Sequence, residues 1–281
     1  MKKKLGIISL LLRKKILRLI QKKRKGHLGG TLSILDILIT IFNSEKLKFK
    51  KSHFKKNKND ILVLSKGHSA LALYAVLEYF EISDYYKIDH YNSKNKSLLE
   101  HPTYTDQTRE ISAETGSLGH GLPITAGRAF ANKDKKRKNI CILGDGELYE
   151  GSIWESLFFI GHHKLTNLLI IVDRNKLITL GHTEKINKLE SLKKKFLAFN
   201  FDVNECDGHN FNAINNQLNK FYNKKKLKKP IIIICNTIKG NGLISWQGKH
   251  QTHHGIPENK IFEKSIKVLE KKLKTLQRKK L

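Results

Sequence analysis

Residues 231–235 read Ile-Ile-Ile-Ile-Cys directly after Pro230, and a run like this has no polar side to turn toward water. A strand built from it must be covered on both faces. Further strand patterns stand at 61–64, 139–143, 168–172 and 201–206. Helical patterns lie between them, at about 69–80, 152–163 and 211–222, with a last one at about 259–277. Apolar strands alternating with helices predict an α/β fold in three layers, a mostly parallel central sheet flanked by helices. No internal repeat and no Pro/Gly/Ser-rich linker divides the 281 residues, so one domain is expected over 1–281.

The amino terminus, Met1 and three lysines before the apolar stretch 5–12, has the outline of a signal peptide. The apolar run is short and leads into Arg13-Lys14-Lys15 without a small-residue cleavage site. Ile8, Leu11, Leu12, Ile16, Leu19 and Ile20 instead share one face of a helix, expected over about 5–24. No apolar stretch reaches membrane-spanning length. Cys141, Cys206 and Cys235 are odd in number and form no CxxC pair, the pattern of buried reduced thiols, so a cytoplasmic location is expected.

The 54 Lys and Arg against 25 Asp and Glu give a formal charge of +29. A basic nucleic-acid-binding protein without catalysis is one reading of that balance. The charges, however, are spread over many polar stretches (22–25, 55–58, 133–138, 193–195 and 224–229), with few interleaved aromatics and no nucleic-acid motif. Solvated surface lysine is the better reading, so neither nucleic acid nor a membrane is expected as a partner.

In parallel sheets ligands gather beyond the carboxyl ends of the strands. After the strand 139–143 comes Gly144-Asp145-Gly146-Glu147, where glycines allow close approach of an anion to the start of the next helix. A carboxylate there would repel a bare phosphate. Its presence implies a bridging cation, most naturally Mg²⁺. The next strand, 168–172, ends in Asp173-Arg174-Asn175, which offers the Asn175 amide as a second oxygen ligand. Asp-Gly and Asn are also common in ordinary turns. Their occurrence at two successive strand ends favours a metal–diphosphate site.

Gly144-Asp145-Gly146 with Asn175 thirty positions beyond Asp145 resembles the signature of thiamine-diphosphate enzymes. Other segments narrow the resemblance to the transketolase family. They are residues 25–30 (Lys-Gly-His-Leu-Gly-Gly), Ser65 to Ser69, His101-Pro102, residues 115–121, the stretch from Gly144 to Trp154, Lys239-Gly240 and His254-Gly255, in family order. The resemblance implies metal ligation by Asp145, Asn175 and the carbonyl of Leu177. It places Gly116, Leu118, Gly144, Gly146, His68 and His254 at thiamine diphosphate, with Mg²⁺, or Ca²⁺ or Mn²⁺ in its place. It sets His27, His68, His101 and His254 around the reacting carbon, where imidazoles donate hydrogen bonds or move protons. Glu150 is implied at an interface between subunits, close to the cofactor, with Glu155 in the same acidic network. His250 and His253 stand close enough to His254 for the match to shift by one place. The pattern departs at Leu28, His120 and Leu180-Gly181, which bears on substrate contacts rather than on the metal.

The implied activity is reversible transfer of a two-carbon ketol group from a ketose phosphate to an aldose phosphate, as in the pentose phosphate pathway. Only the family's first, diphosphate-binding domain is covered, and 26 residues follow Gly255. A pyrimidine-binding domain is therefore expected on a separate carboxy-terminal subunit, in an α₂β₂ heterotetramer. The Gly-Asp-Gly and Asn pair also fits a 2-oxoacid dehydrogenase component or a deoxyxylulose-phosphate synthase type; the histidines favour transketolase.

Overall fold

Five strands pair in parallel in the order β1-β2-β3-β7-β6: β1 Ile61–Leu64, β2 Asn139–Gly144, β3 Leu168–Arg174, β6 Asp202–Asp207 and β7 Ile231–Asn236. The computed structural model describes residues 2–49, 59–93, 98–105, 108, 110–133, 137–223 and 227–278. The lysine run 55–58 lies outside the described residues, as do parts of the runs 133–138 and 224–229.

Side chains alternate along each strand and so feed two separate cores. Leu62, Ile140, Ile142, Leu169, Ile171, Ile231 and Ile233 point into one. Cys141, Leu143, Leu168, Ile170, Val172, Ile232 and Ile234 point into the other. The apolar runs of β2, β3 and β7 have this origin: both faces are roofed by helices. The first layer comprises α1 Lys2–Lys23, α2 Leu28–Asn43, α3 Ala70–Tyr79, α8 Phe211–Asn223 and α9 Asn259–Arg278. The second comprises α4 Gly121–Ala131, α5 Gly151–His162 and α7 Leu192–Ala198. A short turn of helix, α6 Thr183–Ile186, follows a two-strand hairpin of β4 Leu177–Ile178 and β5 Gly181–His182.

The first layer is two helices deep. Residues 28–42 of α2 are all buried, because α1, α3 and α8 enclose it. The terminal helices α1 and α9 pack on each other, α9 burying Phe262, Ser265, Ile266, Leu269 and Leu273 at helical spacing. Most of their remaining lysines face water, as do those of the run 193–194. Among the described residues no helix is long and apolar enough to cross a membrane.

The observed elements start and stop within about two residues of the sequence patterns, except that α1 begins three residues early, at Lys2. The helix expected from about 69 begins as a tight 3₁₀ turn, Gly67–Ser69, before α3. Helices α2 and α4, the short α6 and α7, and the β4–β5 hairpin had no counterpart among those patterns.

Candidate active site

The carboxyl ends of four neighbouring strands open into a cavity of about 280 Å³. Each contributes polar groups to its wall: Lys66 and His68 after β1, Asp145 after β2, Asn175 and Leu177 after β3, and Lys239 after β7. Gly144, Gly146, Leu118 and Glu150 also line it, while Gly116 lies behind, against the His101 ring. Gly30 makes the closest approach of α2 to the site. A Cβ there would come within 2.6 Å of Ser69 Oγ and 2.9 Å of His68 Nε2. Gly119, at φ +82°, turns the chain in a region that disfavours side chains, and a Cβ would lie 2.7 Å from that of Glu150.

The floor is a network of buried charge. Asp173 is fully buried and accepts from Lys66 Nζ, Ser33 Oγ and Thr237 Oγ1. Burial pushes its carboxyl up, but Lys66 beside it prevails and holds it below the usual range. Asp145 Oδ2 accepts from Arg174 Nη1 at 3.1 Å and from the Lys176 amide, and Oδ1 accepts from the Gly146 amide at 2.9 Å. Burial nevertheless prevails and raises the Asp145 carboxyl, so that a further cation would be welcome there. Arg174 also donates to Glu184 and Glu190 at 2.8 Å each, which ties the segment after β5 to the site.

Lys239 completes the floor. Its Nζ donates to the Leu177 carbonyl at 2.8 Å and lies 3.1 Å from His253 Nδ1. Among the described residues no carboxylate stands within ion-pairing distance of it. Burial, then the Lys66 charge, pull its ammonium down to about 8. A buried ammonium with no carboxylate partner, facing a cavity floored by backbone turns, fits an anion. The desolvated Asp145 carboxylate beside it fits a metal. Both halves of a metal–diphosphate group therefore find suitable partners. Two oxygens are engaged by the protein itself: Leu177 O accepts from Lys239, and Asn175 Oδ1 accepts from the Leu177 amide at 3.1 Å. A metal at these ligands would compete with both bonds.

Above the floor the histidines gather. The ring centre of His27 lies 5.6 Å from His68, 6.0 Å from His101, 5.7 Å from His253 and 4.6 Å from His254. His68 and His253 are 5.0 Å apart, and His253 and His254 4.5 Å. All four histidines of the sequence motifs are thus brought together, and His253 joins them as a fifth. His253, not His254, lines the cavity. Burial pulls His27 down to about 4 and His253 to about 3, and holds His68 well below its ordinary value, with neighbouring cationic and histidine groups adding to it.

Several groups here carried no role in the sequence reading. Glu147 is 1% exposed and accepts from Ser65 Oγ and from the Gly119 and Gly144 amides, so one carboxylate joins three loops. An acid placed between Gly146 and Leu148 was its only signal. Lys66 and Lys239 each precede a glycine after a strand, but in so lysine-rich a chain that placement carries no contrast. Glu150 lies at the cavity wall, and Glu155 is exposed on α5.

Comparison with known proteins agrees with this geometry. Residues 8–274 match the family profile described as transketolase, thiamine diphosphate binding domain. The chain is 34% identical over 269 residues to one of the subunits of the apulose-4-phosphate transketolase of Phocaeicola vulgatus, covering 95% of this chain and 94% of that protein. It is 35% identical over 264 residues to SqwG, a 6-deoxy-6-sulfo-D-fructose transketolase subunit of a Clostridium species, covering 92% and 94%. The crystal structure of transketolase from Campylobacter jejuni superposes with a TM-score of 0.83 at 28% identity, over 95% of this chain and 42% of that one. The chain thus spans nearly all of the subunit relatives and less than half of the Campylobacter enzyme. It belongs to the transketolase family, as a thiamine diphosphate binding domain.

Proposed function

We propose that this chain is the diphosphate-binding subunit of a two-chain transketolase, a transferase of aldehyde or ketone residues. It would move a two-carbon ketol group reversibly between sugar phosphates, as in the pentose phosphate pathway. The observation that carries this reading is the cavity itself, where a desolvated Asp145, a buried Lys239 with no carboxylate partner among the described residues, and the His68 and His253 rings, both held toward the neutral form, meet at the strand ends.

Asp145, Asn175 and the Leu177 carbonyl would hold Mg²⁺, with Ca²⁺ or Mn²⁺ as substitutes. Lys66, Lys239, His68 and the Gly144 and Gly146 backbone would hold the diphosphate. Gly116 and Leu118 would lie along the cofactor. Thiamine diphosphate, when bound, supplies the nucleophilic carbon and the electron sink of the reaction. The protein's part is orientation and proton transfer. His27, His101 and His254, with His68, would donate hydrogen bonds to the sugar oxygens or carry a proton between them. The lowered His27 ring is neutral at neutral pH, as a hydrogen-bond donor that also accepts must be.

A partner chain supplies the pyrimidine-binding half in this reading, giving an α₂β₂ assembly in the cytoplasm. The relatives named as transketolase subunits support it. Exposed apolar side chains support it too: Leu180, 75% exposed on the β4–β5 hairpin at the cavity wall, and Phe158, 70% exposed on α5. Glu150, at the start of α5, would stand at that interface. The test is reconstitution. The chain and its partner together should convert a ketose phosphate and an aldose phosphate, and the chain alone should not. Full activity of the chain alone, or turnover of pyruvate in place of ketose phosphate, would overturn the proposal.

A further inference from the structure

We propose that His27, His253 and His254 form a second metal site, for a borderline transition-metal dication such as Zn²⁺, separate from the oxygen site at Asp145. One ring nitrogen from each lies within 4.8 Å of the other two. Tetrahedral zinc with bonds of about 2.0–2.1 Å sets its nitrogens roughly 3.3 Å apart, so the rings must close by about an ångström or more. His254 is exposed and has room to make that movement.

The surroundings suit a ligating imidazole. His27 Nδ1 is buried and has no hydrogen-bond partner among the described residues, and the Glu100 carboxylate stands 3.6 Å away. A carboxylate behind a histidine is the usual support of a zinc ligand, since it orients the ring and strengthens its free nitrogen. Glu100 is itself held by Lys25 at 2.8 Å and by Asn92. The Lys239 cation, 3.1 Å from His253 Nδ1, opposes a second positive charge, and the Glu100 carboxylate offsets it. Three protein nitrogens leave a fourth position for hydroxide or another anion.

The two sites would select different ions. Oxygen donors at Asp145 suit magnesium, which dehydrates reluctantly and prefers octahedral oxygen. Three imidazoles suit zinc, copper or nickel. His253 sets the second site apart, because it lies outside the motif histidines. If the rings of His27 and His254 also receive the sugar, a metal bound there would exclude substrate; that consequence rests on the proposed function, whereas the binding itself does not.

The test is calorimetric titration of the untagged full-length chain with Zn²⁺ in excess Mg²⁺, with no cofactor or sugar present. One Zn²⁺ should bind per chain without displacement by Mg²⁺, and Co²⁺ should show the intense visible bands of tetrahedral coordination. His253→Gln and His254→Gln should each weaken Zn²⁺ binding by about tenfold or more, while His162→Gln, on the exposed end of α5, should leave it unchanged. Should His253→Gln fail to fold, the exposed His254→Gln decides alone. Absence of saturable binding, or equal binding by His254→Gln and the unaltered chain, would overturn the proposal. Equal loss in His162→Gln would show scattered surface binding and overturn it as well.

Discussion

The floor of the cavity and its mouth solve opposite problems. On the floor Lys66, Asp173, Arg174 and Asp145 are almost wholly removed from water and bound to one another. At the mouth the histidines are half-buried or exposed and hold few hydrogen bonds, and burial holds His27, His68 and His253 toward the neutral form. The floor is organised around permanent charge, which suits the proposed diphosphate and metal. The mouth is organised around imidazoles, three of which burial keeps uncharged. Burial alone does not separate them; pairing does. Lys66, Asp173, Arg174 and Asp145 keep their charge against fixed partners, Lys239 keeps its own at a lowered proton affinity, and a neutral ring needs no partner.

The sharpest break of this contrast is at Lys66. Lys66→Met would leave the Asp173 carboxylate buried without its cation, and should destabilise the chain by about 3–5 kcal/mol in urea unfolding. A loss below about 1 kcal/mol would mean that Ser33 and Thr237 suffice for Asp173. His27→Gln should act the other way. It should leave stability and cofactor binding almost unchanged, yet lower the ketol-transfer rate of the assembled enzyme by about 10²–10⁴. Steady-state kinetics beside cofactor titration would separate the two effects.

Acid should open the mouth before the floor. His27, at about 4, His253, at about 3, and His68 all lie below the ordinary 6.5. The unfolded chain therefore binds more protons than the folded one across that interval. The stability these rings lend is complete above about pH 6.5 and is lost as pH falls toward 4. For a ring shifted to about 4 the loss is about 3 kcal/mol. Denaturant midpoints measured from pH 7 to 4 should fall steadily, and a flat profile would contradict neutral buried rings. The smallest effect belongs outside the cavity. Phe158→Glu should change the stability of the isolated chain by less than about 0.5 kcal/mol, as exposed positions do. In size-exclusion chromatography it should weaken assembly with the partner.

Much of this arrangement was legible in the chain, and unevenly so. The sheet was readable because its strands are apolar on both faces, and the run Ile231 to Ile234 fits a strand covered on both sides. Helix α2 was not, because burial on every side erases the amphipathic stripe that marks a helix. Helix α4 opens with glycine and carries Pro123 in its first turn, so its start reads as a loop. At the site, Asp145 and Asn175 stood out because each follows a strand, and the chain does bring them to one cavity. Lys66, Lys239 and Glu147 did not, since their importance lies in burial and in partners more than sixty positions distant for both lysines and for Glu147's bond to Ser65. The place of His253 is likewise a product of the turn at 250–252, where the ring is aimed inward beside His68.

The central claim is that Asp145 grips the diphosphate end of the cofactor through a metal. It is tested most directly by titrating thiamine diphosphate into the assembled two-chain complex, with Mg²⁺ and with EDTA. Binding should require Mg²⁺, and Asp145→Ala should weaken it by more than the roughly 10–100-fold that follows loss of an outer-shell partner. Binding that survives EDTA, or that Asp145→Ala leaves intact in a folded complex, would contradict the assignment.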